Sequence, residues 1–107
     1  MANVFKNAGV AVGTSATTIY TAPAATTGII HAIYISNVDG TNDANVSITV
    51  TDTSAGATYH IMKTVAVPAD STLVIEKPIN LEPTDILKAT ASVAGDIEAF
   101  VSVLEMT

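Results

Sequence analysis

Apolar and polar residues alternate with a period of two in several segments of this chain, whereas helical periodicity is not convincing in any segment. The clearest case is Val46–Thr51, in which Val, Ile and Val alternate with Ser, Thr and Thr. Successive side chains of a β-strand point to opposite faces, so this alternation predicts a strand with one buried face. The branched side chains of Val, Ile and Thr, which are abundant here, suit a pleated backbone. The sequence therefore predicts an all-β chain.

Other segments support the same interpretation. Ile29–Ile35 is apolar on both faces and predicts a central strand. A short buried helix is the alternative, which the β-branched residues and the flanking turn residues disfavour. Tyr59–Val67 alternates except at Lys63, where we expect a bend or a bulge. Further strands are predicted at Val4–Val12, Thr17–Thr21, Ser71–Glu76, Asp85–Val93 and Ile97–Leu104.

Turn residues separate these segments and define the fold class. Pro, Gly, Asn and Asp mark the connections Thr21–Gly28, Asn37–Asn45 and Ala94–Asp96. About seven or eight short strands at roughly 10-residue spacing predict an antiparallel β-sandwich, either jelly-roll-like or immunoglobulin-like. With 107 residues and no linker or repeat, the chain is expected to form one domain over residues 1–107. Residues 1–6 are a candidate N-terminal arm that docks on a neighbouring subunit.

The charge of the chain disfavours two classes of partner. There are four lysines and no arginine, and the formal net charge is −6. Nucleic-acid binding and adhesion to anionic membranes both depend on basic side chains, so we expect neither partner. Charged residues make up 13% of the chain, which is about half the fraction in typical soluble domains. A surface of Thr, Ser, Asn and Ala can lie against other subunits at little desolvation cost, although a merely neutral surface is the alternative.

The sequence predicts no covalent crosslink and no targeting segment. Cysteine is absent, so neither a disulfide nor a thiolate zinc site can form. No apolar run approaches the roughly 18 residues of a transmembrane helix. The start of the chain lacks the basic and apolar regions of a secretory signal, so synthesis and folding in a cytoplasm are expected.

No catalytic residue can be assigned, and we expect neither an enzyme nor a cofactor. A Ser or Thr nucleophile needs a positioned base, and the two histidines, His31 and His60, lie on separate predicted strands. A structural role is favoured for each over catalysis or metal binding. The five aromatic residues include no Trp, and most are expected in the core. This weighs against a sugar-binding site, since such sites commonly stack rings on exposed aromatics.

The loop Asp39–Asn45 leaves two interpretations open. Its Asp and Asn side chains offer the oxygen ligands that calcium takes, but the loop lacks the spacing and the distal Glu of a helical calcium loop. Asn, Asp and Gly are also the residues that favour an exposed turn. The turn is the favoured interpretation, and no metal-binding residue is assigned.

Two pairs of segments carry a resemblance to a known group of proteins. The first pair is Thr-Ile-Tyr-Thr-Ala-Pro-Ala at 18–24 and Ile-His-Ala-Ile-Tyr-Ile-Ser-Asn at 30–37. The second is Pro-Ile-Asn-Leu-Glu-Pro-Thr-Asp-Ile-Leu-Lys at 78–88 and the closing segment 96–105, which ends in Val-Leu-Glu. Together they resemble small β-sandwich virion proteins encoded by tailed bacteriophages, including phages of marine bacteria. The resemblance carries no catalytic or binding residues.

This resemblance implies a non-enzymatic virion subunit that is used in many copies. We expect a capsid decoration or cement protein or another head-associated component, with a neck or tail component as the alternative. Its partners would be other virion proteins, such as the major capsid protein or neck and tail proteins, and further copies of itself, a trimer being one candidate state. Thr-rich faces and exposed strand edges are the expected contact surfaces. A receptor- or glycan-binding module of a tail fibre is the alternative from a different functional class.

Overall fold

In a computed structural model, which describes residues 2–107, the chain forms nine β-strands and no helix. Met1, the first residue of the predicted arm, lies outside the described residues. No helix that could cross a membrane occurs in residues 2–107. The strands are β1 (Asn3–Val12), β2 (Thr17–Thr21), β3 (Thr27–Asn37), β4 (Ala44–Asp52), β5 (Ala57–Val67), β6 (Thr72–Ile75), β7 (Ile79–Leu81), β8 (Ile86–Ala91) and β9 (Ile97–Met106).

The strands pair in a nested order and build two antiparallel sheets. β1 pairs with β9, β2 with β8, β3 with β6 and β7, and β4 with β5. Additional pairing of β3 with β9 and of β4 with β8 gives a first sheet in the order β1-β9-β3-β6 and a second in the order β2-β8-β4-β5. β7 extends the first sheet beside β3. Nested antiparallel pairs folded into two sheets are the topology of a jelly roll.

The predicted all-β sandwich is therefore confirmed, and of the two variants the strand order is that of the jelly roll. Eight of the nine strands coincide with predicted segments, with ends that differ by a few residues. β7 was not predicted. It spans only the three residues Ile79–Leu81, which is too short for an alternating pattern to be recognised.

Alternate residues of both sheets form one core. Along β9, for example, Ile97, Ala99, Val101 and Val103 are buried while the residues between them face outward. Burying one such aliphatic side chain stabilises the fold by about 1.5 to 3 kcal/mol. The bulkiest fully buried side chains of the core are Ile30, Ile33, Ile35, Ile48, Leu81, Leu87 and Ile97.

Register shifts mark bulges in three of the strands, β2, β3 and β5. In β5, Lys63 and Thr64 lie opposite the single residue Ser47 of β4, which confirms the irregularity expected at Lys63. The Thr64 backbone has a φ of 52°, and its N–H donates to the Ser47 hydroxyl at 2.9 Å. In β3, the pairing with β9 shifts between Ile30 and Ala32, so His31 is the extra residue. This bulge keeps Ile30 facing the core.

The N-terminal segment runs along the last strand. Asn3 to Lys6 form the start of β1 and pair with the end of β9. The side chains of these four residues are exposed. The backbone of Ala2 is joined to Thr107, whose N–H donates to the Ala2 carbonyl at 3.0 Å. Whether this segment also contacts a neighbouring subunit stays a prediction.

Candidate functional site

The two histidines lie far apart in the fold. His31 sits in the β3 bulge of the first sheet, is exposed, and stacks on the ring of Phe5 with 6.0 Å between ring centroids. His60 lies on β5, at the edge of the second sheet, opposite Thr49. The structure therefore does not bring the two imidazoles together, and neither belongs to the buried core.

The expectation that most aromatic residues belong to the core is wrong. Phe5, Tyr34, Tyr59 and Phe100 are exposed by 77%, 40%, 59% and 45%, and only Tyr20 among the five is packed against the core. The physical reason is that β-branched and aliphatic residues occupy the inward positions of the strands. The alternation then places Tyr34 and Phe100 at outward positions.

The outer side of the first sheet is apolar. Phe100 on β9 pairs with Gly9 on one side and with Tyr34 on the other, and Tyr34 pairs in turn with Val74. These four residues form an outward row that crosses all four strands. A second outward row, about four residues away along the strands, consists of Phe5, Leu104 and Ile29. We call this surface the apolar face.

The outer side of the second sheet is polar. Thr49 lies between Lys88 and His60, and Thr51 pairs with Thr58, with 3.1 Å between the two hydroxyl oxygens. We call this surface the threonine face. The sequence predicted contact surfaces in the Thr-rich faces, but four of the exposed large apolar side chains, Phe5, Tyr34, Val74 and Phe100, lie on the opposite sheet. The members of the threonine face include Ser47, Thr49, Thr51, Thr58, His60, Lys88 and Thr90.

A shallow depression of about 370 Å³ lies within the apolar face, where Phe100, Gly9 and Ser36 are among its lining residues. A Cβ atom built on Gly9 would lie 3.1 Å from Cδ1 of Phe100, so the ring rests against the bare glycine backbone. Any side chain at position 9 would displace the ring and fill part of the depression. Glycine thus preserves a recess beside an exposed aromatic ring.

Tyr20 joins the two sheets through a buried carboxylate. Its hydroxyl donates to Oε2 of Glu105 at 2.5 Å, and Nζ of Lys6 lies 3.2 Å from Oε1 of the same carboxylate. The hydrogen bond from Tyr20 and the nearby ammonium of Lys6 hold the pKa of Glu105 below its ordinary value, against the opposing effect of burial. The pKa of Tyr20 is raised by burial and by the hydrogen bond to Glu105. All three groups serve the fold of this end of the molecule.

The loop Asp39–Asn45 folds as a turn stabilised by its own side chains. Oδ1 of Asp39 accepts hydrogen bonds from the backbone N–H of Thr41 at 2.8 Å and of Asn42 at 3.2 Å. These bonds lower the pKa of Asp39. The fold also brings Asp96, from the connection between β8 and β9, close to Asp39. Desolvation and the negative charge of Asp39 raise the pKa of Asp96.

A carboxylate cluster that the sequence did not indicate lies at the opposite end. Asp52, Glu82 and Asp85 place carboxylate oxygens within 4.8 Å of one another. Oxygen ligands of this kind suit a hard cation such as calcium. Protein donors already engage them: Asp85 accepts the N–H of Glu82 at 2.9 Å, and Asp52 accepts the hydroxyl of Ser54 at 2.8 Å. The cluster unites the β4–β5 and β7–β8 turns, whose proximity sequence spacing does not reveal.

Several solved structures share this fold. A chain in the acidic-stable capsid structure of the Helicobacter pylori bacteriophage KHP30 has a TM-score of 0.60 and 11% sequence identity, over 100% of this chain and 89% of that one. A chain of the disulfide-linked pili of Bacillus endospore appendages has a TM-score of 0.59 and 14% identity, over 99% and 87%. A chain of infectious bursal disease virus strain Gx has a TM-score of 0.52 and 13% identity, over 97% of this chain but 31% of that one. No protein-family model and no curated protein matches the sequence.

These identities, between 11% and 14%, show a common fold and nothing finer. The three structures are those of a phage capsid, a pilus and a virus. The disulfide links of the pili have no counterpart in this chain, which contains no cysteine.

Proposed function

We propose that this chain is a non-enzymatic structural subunit of a bacteriophage virion, acting through protein–protein contacts as a capsid decoration or cement protein or another head-associated component. The observation that carries the proposal is the apolar face, an exposed set of aromatic and aliphatic side chains on one side of a jelly roll. Exposed apolar patches of this kind commonly mark contact surfaces between proteins.

The rest of the surface supports the same role. Strands β1 and β5 lie at sheet edges, and each offers a long row of backbone groups to a neighbouring protein. The phage assignment is supported by the resemblance to tailed-phage virion proteins and by the fold shared with a chain of a phage capsid. The pilus chain shares this fold and indicates that the fold also suits other repetitive assemblies.

Co-sedimentation with emptied heads and with isolated tails of the phage that encodes the chain tests the proposal. Saturable binding to heads is the expected result for a decoration protein. Binding to tails alone would favour the neck or tail alternative. A folded protein that binds neither heads nor tails would contradict a virion role.

Glycan binding, as in a tail-fibre module, is the second candidate function. It is favoured by the exposed rings of Tyr34 and Phe100, which pair across β3 and β9 and could stack on a sugar. A glycan array tests it with the Tyr34→Ala variant beside the unmodified chain and Tyr59→Ala as the control. Reproducible binding that is lost only with Tyr34→Ala would establish this candidate, and an empty array would remove it.

A further inference from the structure

We infer that the apolar face is covered in solution by the same face of a second copy of this chain. The two copies are related by a two-fold axis that runs across the strands, above the row Asn7, Ser102 and Ala32. The inference deepens the proposed function, because it names the surface through which two subunits join. The inference rests on the arrangement of residues within the face of this chain alone.

The two apolar rows lie on opposite sides of this small polar row. The row that contains Phe5 lies on one side of Asn7, and the row that contains Gly9 lies two residues beyond it on the other side. Rotation about an axis above Asn7 therefore places each row over the other row of the second copy. Leu104 meets Phe100, and Ile29 meets Tyr34. A closed two-fold dimer requires such self-complementarity.

The shape of the face agrees with this arrangement. Phe5 is the most exposed large apolar side chain in the described chain, at 77%. The same rotation places Phe5 over Gly9 on the same strand of the second copy, where the Phe100 ring lies against the glycine and borders the depression of about 370 Å³. Each Phe5 side chain thus meets the Phe100 ring of the other copy, and both pairs form in a single symmetric contact.

The size of the face is sufficient for a stable dimer. β1 and β9 each contain 10 residues, which corresponds to a length of about 34 Å for an antiparallel strand. Four strands spaced by about 4.8 Å add a width of about 19 Å, so the whole outer side of the first sheet, including its polar rows, covers roughly 650 Å² in projection. Stable interfaces bury about 600 to 1,000 Å² on each partner.

The scarcity of carboxylates on the apolar face favours a second copy of this chain over a basic partner. The chain carries a net charge of −6, yet within the described strands of the first sheet Glu98 is the one carboxylate that faces outward. It lies at the rim, two residues beyond the Phe100 row. Two copies can therefore approach through this face without placing like charges at its centre.

Sedimentation equilibrium of the purified protein over a range of concentrations tests the inference. We expect a mass of twice 10.9 kDa. The Phe5→Glu variant buries a charge only in the dimer, so it should raise the dissociation constant about tenfold or more. Tyr59→Glu is the matched control, because Tyr59 is a similarly exposed aromatic residue on β5 of the other sheet. It should leave the dissociation constant unchanged.

A crosslinking experiment locates the axis independently. The chain contains no cysteine, so a single substitution gives one unambiguous site. Ser102→Cys lies beneath the proposed axis, and two packed sheets are about 10 Å apart. A bismaleimide of matching length should therefore join two copies. Thr49→Cys, at the centre of the threonine face, should not be crosslinked.

Three results would overturn the inference. A monomer at all concentrations, equal effects of the two Glu variants, or crosslinking of Thr49→Cys but not Ser102→Cys would each exclude this interface. If the protein is monomeric and Phe5→Glu abolishes binding to heads, another virion protein covers the face. In that case the proposed function stands while the dimer fails. If the protein is a dimer but binds neither heads nor tails, the dimer stands while the proposed function fails.

Discussion

At the scale of single residues, Tyr20 shows how one hydroxyl can join two sheets. The phenol extends from β2 across Gly28 and ends at Glu105 on β9. A Cβ atom at position 28 would lie only 3.1 Å from the Tyr20 ring. This contact was not predictable from the sequence, because its partners are 85 residues apart. Period-two alternation predicts which side of a strand a residue occupies but not which strand lies opposite. The inward position of a glutamate near the end of the chain, between Leu104 and Met106, was the one available signal.

Tyr20→Phe should destabilise the protein by removing the donor to this buried carboxylate. A hydrogen bond to a charged group contributes about 1.5 to 3 kcal/mol, so the free energy of unfolding in urea should fall by about that amount. Tyr59→Phe is the control, because the Tyr59 side chain is exposed, and it should change the free energy by less than about 0.5 kcal/mol. Equal values for the two variants would show that the Tyr20 hydroxyl contributes nothing.

The proximity of Asp39 and Asp96 predicts the direction in which the stability of the protein changes with pH. Asp96 has its pKa raised above 3.8 in the folded state, by desolvation and then by Asp39. A carboxyl with a raised pKa favours folding while it is protonated, and this contribution is lost as the pH rises from 3.8 through the folded-state pKa. Asp96→Asn cannot ionise. The variant should therefore be more stable than the unmodified chain at pH 7.

The pH dependence supplies the control for this prediction. The advantage of Asp96→Asn in thermal melting should shrink as the pH is lowered through the raised folded-state pKa of Asp96 towards 3.8, because Asp96 itself then becomes protonated. An advantage that stays constant over this range would mean that the ionisation of Asp96 is not its cause.

At the scale of elements, the sequence predicted most strands but not their irregularities. Alternation is a local property, so Val46–Thr51 and Thr17–Thr21 were recognisable without knowledge of their partners. The bulge at His31 was not, because Ile29–Ile35 is apolar at nearly every position and its alternation cannot show a one-residue slip. Lys63 was recognisable because it breaks an otherwise alternating pattern. The bulge at Lys63 is thus visible in the sequence of a half-exposed strand, whereas the bulge at His31 is hidden in that of a central strand.

The two ends of the chain should respond differently to truncation. Deleting residues 2–6 removes exposed side chains from an edge strand, so the β-rich circular dichroism spectrum should persist while self-association weakens. Deleting residues 103–107 cuts β9, which lies between β1 and β3 and contributes the buried Val103 and Glu105. This truncation should lower the melting temperature strongly or prevent folding. Unfolding of the N-terminal variant would show instead that residues 2–6 are essential to the core.

At the scale of the whole molecule, strand order decides what the surface can do. Tyr34 and Phe100 are distant in sequence, and they become neighbours only because β9 lies beside β3. The contrast between the apolar face and the threonine face therefore exists only in the folded jelly roll. Composition predicted a sparsely charged surface with Thr-rich faces, because an abundance of Thr is visible in the sequence whereas a cross-strand aromatic row is not.

The distribution of charge makes the response of the dimer to salt informative. Each copy carries a net charge of −6, and the inferred contact contains mostly uncharged side chains, so long-range repulsion between copies opposes association. The screening length is about 10 Å at 0.1 M salt and about 3 Å at 1 M, so added sodium chloride removes much of this repulsion. The dimer should consequently become tighter as the salt concentration rises, with a lower dissociation constant by sedimentation equilibrium.

A dimer held by ion pairs, for instance between Lys63 or Lys88 near the threonine face and the acidic loops of a second copy, would weaken under the same conditions. The sign of the change therefore separates an apolar contact from an electrostatic one.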